Sequence, residues 1–226
     1  MSVIMAGHTV SCSLVLTGKG LGMSYTPHHV LHRHVLESNA IEGIDAKPGH
    51  PLYDSHMHAA HLAASGRFVH PQVLHAALGV RVPGLSRHAG QYRQCEVCIQ
   101  SLRTLPHGAV LRIAMAPARL LPRARHVPGL MAEWDAWAKE LCERFASVSR
   151  EDRANVCHYL HAWQLCIHGF EDGNGRTARL SWNNLRVCVG LPWIVQPARF
   201  RSRYYARIRA VEEQSFKPQY PDIYDR

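Results

Sequence analysis

The chain has 226 residues and carries 26 Lys and Arg against 17 Asp and Glu, a net charge of +9; at about 150 residues per domain, that length allows one sizeable core but not two full domains. Hydrophobic residues make up 46% and aromatic residues 8% of it, which excludes general disorder, and the lack of any fixed period excludes collagen, coiled-coil and repeat arrays. The basic balance favours anionic partners, and nucleotide phosphates, nucleic acid and a membrane surface all qualify.

Residues 1–24 are small, polar and glycine-containing, and read as a poorly ordered arm or a short strand pair. Thr26 as N-cap and Pro27 at the first helical position open a helix through Val30, Leu31, Val35, Leu36 and Ile41, with Gly43 as its stop. Lys47 to Pro51 is a loop, two short helices follow near Ser55–Ala64 and Pro71–Leu78, and Pro83-Gly84 is a break. Tyr92 to Ile99 alternates like a strand. Residues 101–126 are rich in Arg, Pro and Leu and form a long connection of no assignable structure. Leu130, Met131, Trp134, Trp137, Leu141 and Phe145 then mark one helix face. Ser149 with Asp152 forms a capping box for a helix through Leu160, Trp163 and Ile167. A glycine-rich turn at Phe170–Gly175 interrupts before a helix through Leu180, Leu185 and Val189. Pro192 and Pro197 bracket the link to a last helix through Tyr204, Tyr205, Ile208 and Val211. The reading is a mainly α, single-domain protein.

The seven cysteines, at 12, 95, 98, 142, 157, 166 and 188, are an odd and scattered set, which reads as free thiols in a reducing, cytoplasmic compartment. Val10 to Leu16 is short and has no basic stretch before it, so no secretory signal is expected. No run approaches the roughly 20 apolar residues of a membrane span, so a soluble chain is expected.

Chemistry concentrates in His168-Gly-Phe-Glu-Asp172-Gly173-Asn174-Gly175-Arg176-Thr-Ala-Arg179. A histidine ends one helix, and a glycine-rich turn starts the next, whose N-terminus favours phosphate oxygens. Gly173 and Gly175 allow close backbone approach to an anion. Arg176 and Arg179 lie on neighbouring faces and can fork two phosphates. Asp172 offers a hard oxygen that, with phosphate oxygens and water, suits Mg²⁺. His168 is the group able to take a proton near neutral pH. A purely structural helix corner needs neither Asp172 nor the paired arginines.

The stretch resembles the signature of the Fic family, His-x-Phe-x-Asp/Glu-Gly-Asn-Gly-Arg-x-x-Arg, and matches every defined position, with Gly169 where proline is usual. Gly90-Gln91-Tyr92-Arg93 resembles the approach to that family's β-hairpin flap, Val127–Trp137 the helix after it, and Arg203-Tyr204-Tyr205 a C-terminal element lining the nucleotide site. The resemblance implies a helical Fic (Fido) fold with a small β-hairpin flap, and transfer of AMP from ATP to a hydroxyl on a target protein. His168 would deprotonate the target Ser, Thr or Tyr, and Asp172 would hold Mg²⁺ against the α- and β-phosphates. Gly173, Asn174, Gly175 and Arg176 would form the anion hole, and Arg179 would grip the γ-phosphate. The hairpin with Val97, Ile99 and Gln100 would pin the target backbone over the nucleotide, and Tyr204 and Tyr205 would sit near adenine. The logic is positioning plus charge stabilisation.

Ser38-Asn-Ala-Ile-Glu42-Gly43 fits the same family's inhibitory pattern, Ser/Thr-x-x-x-Glu-Gly/Asn, at the end of the N-terminal helix. Glu42 would pair with Arg179, a carboxylate competing with a phosphate for one guanidinium. Members of this class also remove AMP with that glutamate, so a deAMPylating role stays open. The implied organisation is an arm over 1–24, an inhibitory helix segment over 25–46, a catalytic core over 47–216 and a tail over 217–226. Self-modification, a homo-oligomer and delivery into a host cell stay open as well.

Other features carry less. Cys95-x-x-Cys98 lacks the second pair that a structural zinc site wants. The histidines at 28, 29, 32, 34, 56, 58 and 61 lack a placed carboxylate or cysteine. Gly18-Lys19-Gly20 lacks both the first glycine and the Ser/Thr of a P-loop. The arginines at 199, 201, 203, 207 and 209, with 119, 123 and 125, come without a DNA-binding motif. They read as a solvated basic face or a dock for an acidic target rather than for nucleic acid. The rival class is a non-catalytic basic adaptor whose core only binds nucleotide.

Overall fold

The computed structural model describes residues 4–5, 8–9, 26–79, 86–97, 103–104, 110–111, 121–144 and 148–224; the expected break at Pro83-Gly84 and the flap residues Ile99 and Gln100 lie outside them. Near the N-terminus β1 (Ile4–Met5) pairs antiparallel with β2 (His8–Thr9). Helix α1 (His28–Ile41) has Pro27 as its N-cap, extended at φ −61° and ψ 146°, with no side-chain cap, so the start falls one residue later than Thr26 as cap implies. Gly43 ends the helix at φ +75°. Helix α2 (Pro51–Ala63) starts before the expected Ser55: Pro51 opens it and His50 Nδ1 accepts from Leu52 N at 3.2 Å. Helix α3 (Pro71–Gly79) follows.

The strand expected over Tyr92–Ile99 is corrected. Its described part, Tyr92–Val97, contains no strand. The Arg93 N–H goes to Gly169 O at 2.9 Å and the Arg93 side chain is buried, so the segment is tied to the glycine-rich turn rather than to a neighbouring strand. The hairpin lies further along, β3 (Arg103–Thr104) antiparallel to β4 (Val110–Leu111), inside the stretch that the sequence left unassigned.

Helices α4 (Val127–Arg144), α5 (Arg150–Ile167), α6 (Asn174–Cys188) and α7 (Arg201–Val211) complete the mainly helical fold, and a π-helical segment, Glu212–Phe216, leads into α8 (Lys217–Gln219). Ser149 caps α5 as expected: its Oγ accepts from Asp152 N at 3.1 Å and donates to the Asp152 carboxylate at 2.7 Å.

Helix α6 is the axis of the molecule, buried on nearly every side. On one flank Trp134, Leu141, Leu160, Trp163 and Leu185 pack into a core with α4 and α5. On the other, Leu31, Val35, Leu74, Leu78 and Leu180 join α1, α2 and α3. A helix covered all round must satisfy its polar side chains internally. Asn183 Nδ2 donates to Ile194 O and Asn183 Oδ1 accepts from Ile194 N. Asn184 bonds Ala63 O, Arg67 O and Val69 N across the α2–α3 turn. Those bonds fix the frame against which the α6 N-terminus is presented.

Candidate active site

The turn between α5 and α6 is built around His168, which takes the left-handed conformation (φ 52°, ψ 56°) as the C-cap of α5. It is the one non-glycine residue with positive φ among the described residues, and such a backbone costs roughly 1–2 kcal/mol. Two contacts enforce it: His168 N donates to Gln164 O at 3.1 Å, and Arg93 Nε donates to His168 O at 2.8 Å. The rest of the Arg93 guanidinium donates to Cys95 O at 3.1 Å and to Pro122 O.

Asn174 closes the turn. Its Oδ1 accepts from Phe170 N at 2.9 Å and its Nδ2 donates to Phe170 O at 2.7 Å. The Asn174 side chain is therefore spent on loop closure, which leaves its main chain, at the first turn of α6, as the part that could face an anion. Phe170 is buried and stacked on the His75 ring at 3.9 Å with the planes 4° apart. Gly169 has no steric need to be glycine, since an added Cβ would meet only Met131 and Tyr92 at 3.5–3.6 Å.

Asp172 is 73% exposed, its Oδ1 accepts from Gly173 N at 2.6 Å, and its Oδ2 lies 3.7 Å from Arg176 Nη2. Gly173, at φ +73°, is the N-cap of α6. Arg176 is 3% exposed and its Nε has no hydrogen-bond partner among the described residues; burial holds its pKa below the usual arginine value. Arg179 is 1% exposed. Its Nε donates to Ser38 Oγ at 2.8 Å, and its Nη2 donates to Ser38 O at 3.0 Å and to Glu42 Oε1 at 2.6 Å. Its Nη1 has no hydrogen-bond partner among the described residues. Burial alone would lower the Arg179 pKa, but Tyr204 and Glu42 more than offset it and the guanidinium is held in its charged form. Glu42 also lies over Gly175, where an added Cβ would overlap Glu42 Oε1. The carboxylate thus occupies the mouth of the same cradle that the two arginines line.

The structure brings His168, Asp172, Gly173, Gly175, Arg176, Arg179, Ser38 and Glu42 into one site. Tyr204, expected near adenine, is 4% exposed; its hydroxyl donates to His161 Nε2 at 2.9 Å, and its ring backs Arg179 with the guanidinium carbon 5.9 Å from the centroid. Tyr205 is half-buried and packs on Tyr204 at 4.9 Å. Val97 is half-buried in irregular backbone, not on a hairpin. Arg199, Arg201, Arg203, Arg207 and Arg209 are all exposed, so the basic face is real. A separate cavity of about 490 Å³ between α1 and α2, lined by His28, His29, His32, Pro48, Tyr53 and Met57, lies away from this chemistry. No group of three or more His, Cys, Asp or Glu able to hold a metal occurs among the described residues, so a cation at Asp172 would have to complete its shell from a ligand's oxygens and water. No helix of the described residues is long and apolar enough to cross a membrane.

Two residues that sequence reasoning missed complete the site. Arg93 holds the His168 peptide, and His75 contacts Phe170, Gly90 and Asp172 O. His75 carries no signal in its own neighbourhood, and the resemblance at Gly90–Arg93 marks the segment without assigning Arg93 its contact, because both residues act across long sequence separations.

Residues 68–185 match the family model described as "Fic/DOC family". Two proteins named "Protein adenylyltransferase Fic" are similar to part of the chain. The one from Drosophila virilis is 34% identical over 89 residues, 39% of this chain and 17% of that protein. The one from Drosophila persimilis is 39% identical over 64 residues, 28% of this chain and 13% of that protein. The chain therefore spans less than a fifth of the length of these curated relatives. Among solved structures, a Fic-1 fragment from C. elegans superposes with a TM-score of 0.58 at 17% identity, covering 87% of this chain and 61% of that one. A Fic domain containing signaling protein from Bacteroides thetaiotaomicron does so at 0.56 and 16%, covering 83% and 74%. At such identities the likeness is one of fold.

Proposed function

The chain belongs to the Fic/DOC family, and from that premise we propose that it transfers AMP from ATP to a Ser, Thr or Tyr hydroxyl of a protein, with Glu42 withholding Arg179 from the nucleotide while α1 is docked. The observation that carries this reading is the cradle at the start of α6. Two buried guanidinia each keep an N–H without a hydrogen-bond partner among the described residues, and a carboxylate lies across the opening. Buried donors of that kind are costly unless an anion uses them.

In the proposed reaction His168 takes the proton of the acceptor hydroxyl as its oxygen bonds to the α-phosphorus. The bond from that phosphorus to the bridging oxygen breaks, and pyrophosphate leaves. The α6 N-terminus and Arg176 receive the charge that develops on the phosphate oxygens. Arg179 takes the terminal phosphate once Glu42 has moved. The exposed Asp172 carboxylate fits Mg²⁺, which takes one or two carboxylates and fills its shell with phosphate oxygens and water, and when bound it would neutralise phosphate charge. The separation of segments over 25–46 and 47–216 follows the same reading, with α1 as the inhibitory element.

The test is the intact mass of the Glu42→Gly protein after incubation with ATP and Mg²⁺, with His168→Ala in the same background. A gain of one AMP that disappears with His168 is the expected result. No gain despite ATP binding overturns the reading and points to AMP removal, another nucleotide or a binding-only module. Self-modification supplies the acceptor in this assay, so no target need be known.

A further inference from the structure

We propose that His75 is a positioning residue that holds the Asp172 peptide of the catalytic turn against α3, beside the segment that starts at Gly90. The inference rests on the AMP-transfer reading and assigns a residue to it that lies outside the signature motif.

The His75 side chain is buried, and every edge of its ring is in use. Gly90 N donates to His75 Nδ1 at 2.9 Å, so Nδ1 is unprotonated and the ring hydrogen is on Nε2. Nε2 then donates to Asp172 O at 3.0 Å. The face stacks on Phe170. One imidazole thus grips the turn at Phe170 and Asp172, and at its other end grips Gly90.

The Gly90 side of the clamp is equally specified. Gln72 Nε2, also on α3, donates to Gly90 O at 2.9 Å, so both polar groups of this residue are held by α3 side chains. Gly90 has φ +76°, and an added Cβ would lie 3.1 Å from Ala76 Cβ and from Gln72 O. Three residues on, Arg93 bonds Gly169 O through its N–H and His168 O through its Nε. The segment from Gly90 to Arg93 is therefore stapled to α3 on one side and to the catalytic turn on the other. Arg93 makes the bonds of this segment to the turn, and His75 joins α3 to Gly90 and, independently, to Asp172 O. Burial keeps its pKa below the usual histidine value, in keeping with a neutral ring that accepts at one nitrogen and donates at the other.

The consequence is that the Asp172 peptide cannot shift relative to α3 unless the His75 Nε2 bond breaks, while Arg93 holds the His168 peptide. In catalysis by positioning, a displacement of about 1 Å costs on the order of 100-fold in rate.

The two bonds can be removed one at a time. In His75→Gln the side-chain amide N–H reaches the place of the imidazole Nε2, keeping the donor to Asp172 O and losing the acceptor for Gly90 N. In His75→Asn the amide oxygen takes the place of Nδ1, keeping the Gly90 bond and losing the one to Asp172. Each variant loses one bond, so a merely structural role gives both the same drop in Tm and the same loss of transfer. The expected result, in the Glu42→Gly background, is that His75→Gln keeps kcat within about threefold. His75→Asn lowers it by about 10- to 100-fold, with the apparent KM for ATP moving less than kcat. Equal losses in the two variants, or none in either, overturn the assignment.

If the Glu42→Gly parent transfers no AMP, the reaction reading fails on its own. The positioning role is then read from amide hydrogen exchange at Phe170 and Gly173 with no nucleotide present. Protection kept in His75→Gln and lost in His75→Asn supports the role, and equal rates refute it.

Discussion

Glu42 and Arg179 are 137 residues apart in sequence and meet at 2.6 Å, the carboxylate 28% exposed and the guanidinium 1% exposed. The asymmetry has a physical meaning. Arg179 is part of the buried frame of α6, whereas Glu42 caps the C-terminal end of α1. On the proposed reading, losing the carboxylate leaves a charged guanidinium in a site that the nucleotide's phosphate then fills, so the pair would work as a competition for Arg179 rather than as a stability element.

Ser38 contributes to the same contact through both its hydroxyl and its carbonyl. Ser38→Ala leaves Arg179 Nε without an acceptor only while α1 is docked, at a cost of about 1–2 kcal/mol. That shifts docking by roughly five- to thirtyfold. AMP transfer should rise above wild type and stay below Glu42→Gly in a side-by-side mass assay. Activity equal to wild type would mean the hydroxyl does not help hold α1.

Gly175→Ala should separate release of inhibition from activation. Its Cβ would overlap Glu42 Oε1 and lie 3.1 Å from Arg179 Nη1. The substitution should expel Glu42 and yet fill the seat that a phosphate oxygen needs. Transfer should stay low, and adding Glu42→Gly should not restore it. Recovery in the double variant would show that the cradle does not use the space above Gly175.

Arg93→Lys should be damaging although it keeps the charge. The guanidinium serves carbonyls of His168, Cys95 and Pro122 from a fully buried position, and an ammonium on a flexible stem cannot reproduce that fork. The expected loss is about 2–4 kcal/mol in urea unfolding, with transfer reduced further than the fraction folded explains. A variant as stable and active as the parent would remove Arg93 from the support of His168.

Acid should weaken the fold through its buried histidines. Burial and the nearby Arg179 push the His34 pKa down to about 3, and burial also lowers His56 and His161 well below their usual value. In the unfolded chain these groups bind protons near pH 6.5, while the folded state refuses them. Their contribution is therefore fully present above about pH 6.5 and is lost as pH falls toward 3, by up to about 1.4 kcal/mol per pH unit for each histidine. Urea midpoints at pH 7 and pH 5 should differ accordingly, and His34→Gln should reduce the difference by one histidine's share. A midpoint independent of pH would contradict the burial of these rings.

The part of the site that was legible in the sequence is the part that is local. His168 through Arg179 lie on one turn and the helix it opens, and Ser38 and Glu42 lie one helical turn apart on α1. Spacing places the groups within each stretch, whereas the meeting of Glu42 with Arg179, 137 residues away, was implied by the family resemblance. The support is not local: His75 reaches Asp172 across 97 residues and Arg93 reaches His168 across 75, with no periodic pattern to announce either contact. Alternation over Tyr92–Ile99 suggested a strand because it counts side chains and not backbone partners, and the Arg93 N–H finds its partner, Gly169 O, on the catalytic turn. The surroundings of Tyr204 show the same limit. Two adjacent tyrosines on a helix look alike in sequence, and only packing against His161 and Arg179 makes one of them interior.

The place of Glu42 at the C-cap of α1 has a mechanical consequence. Helix ends open at lower free-energy cost than helix middles, since they give up fewer backbone bonds. Ser38, Asn39 and Glu42 all fall in the last turn or so, and Asn39 is anchored there by His56 Nδ1 at 2.9 Å. On the proposed reading, freeing Arg179 needs only that turn to unwind, while Leu31 and Val35 keep the rest of α1 seated. The brake is then a fraying end rather than a hinged lid, and the Asn39–His56 bond, the Ser38–Arg179 bonds and the buried Ile41 together set how hard it must be pulled.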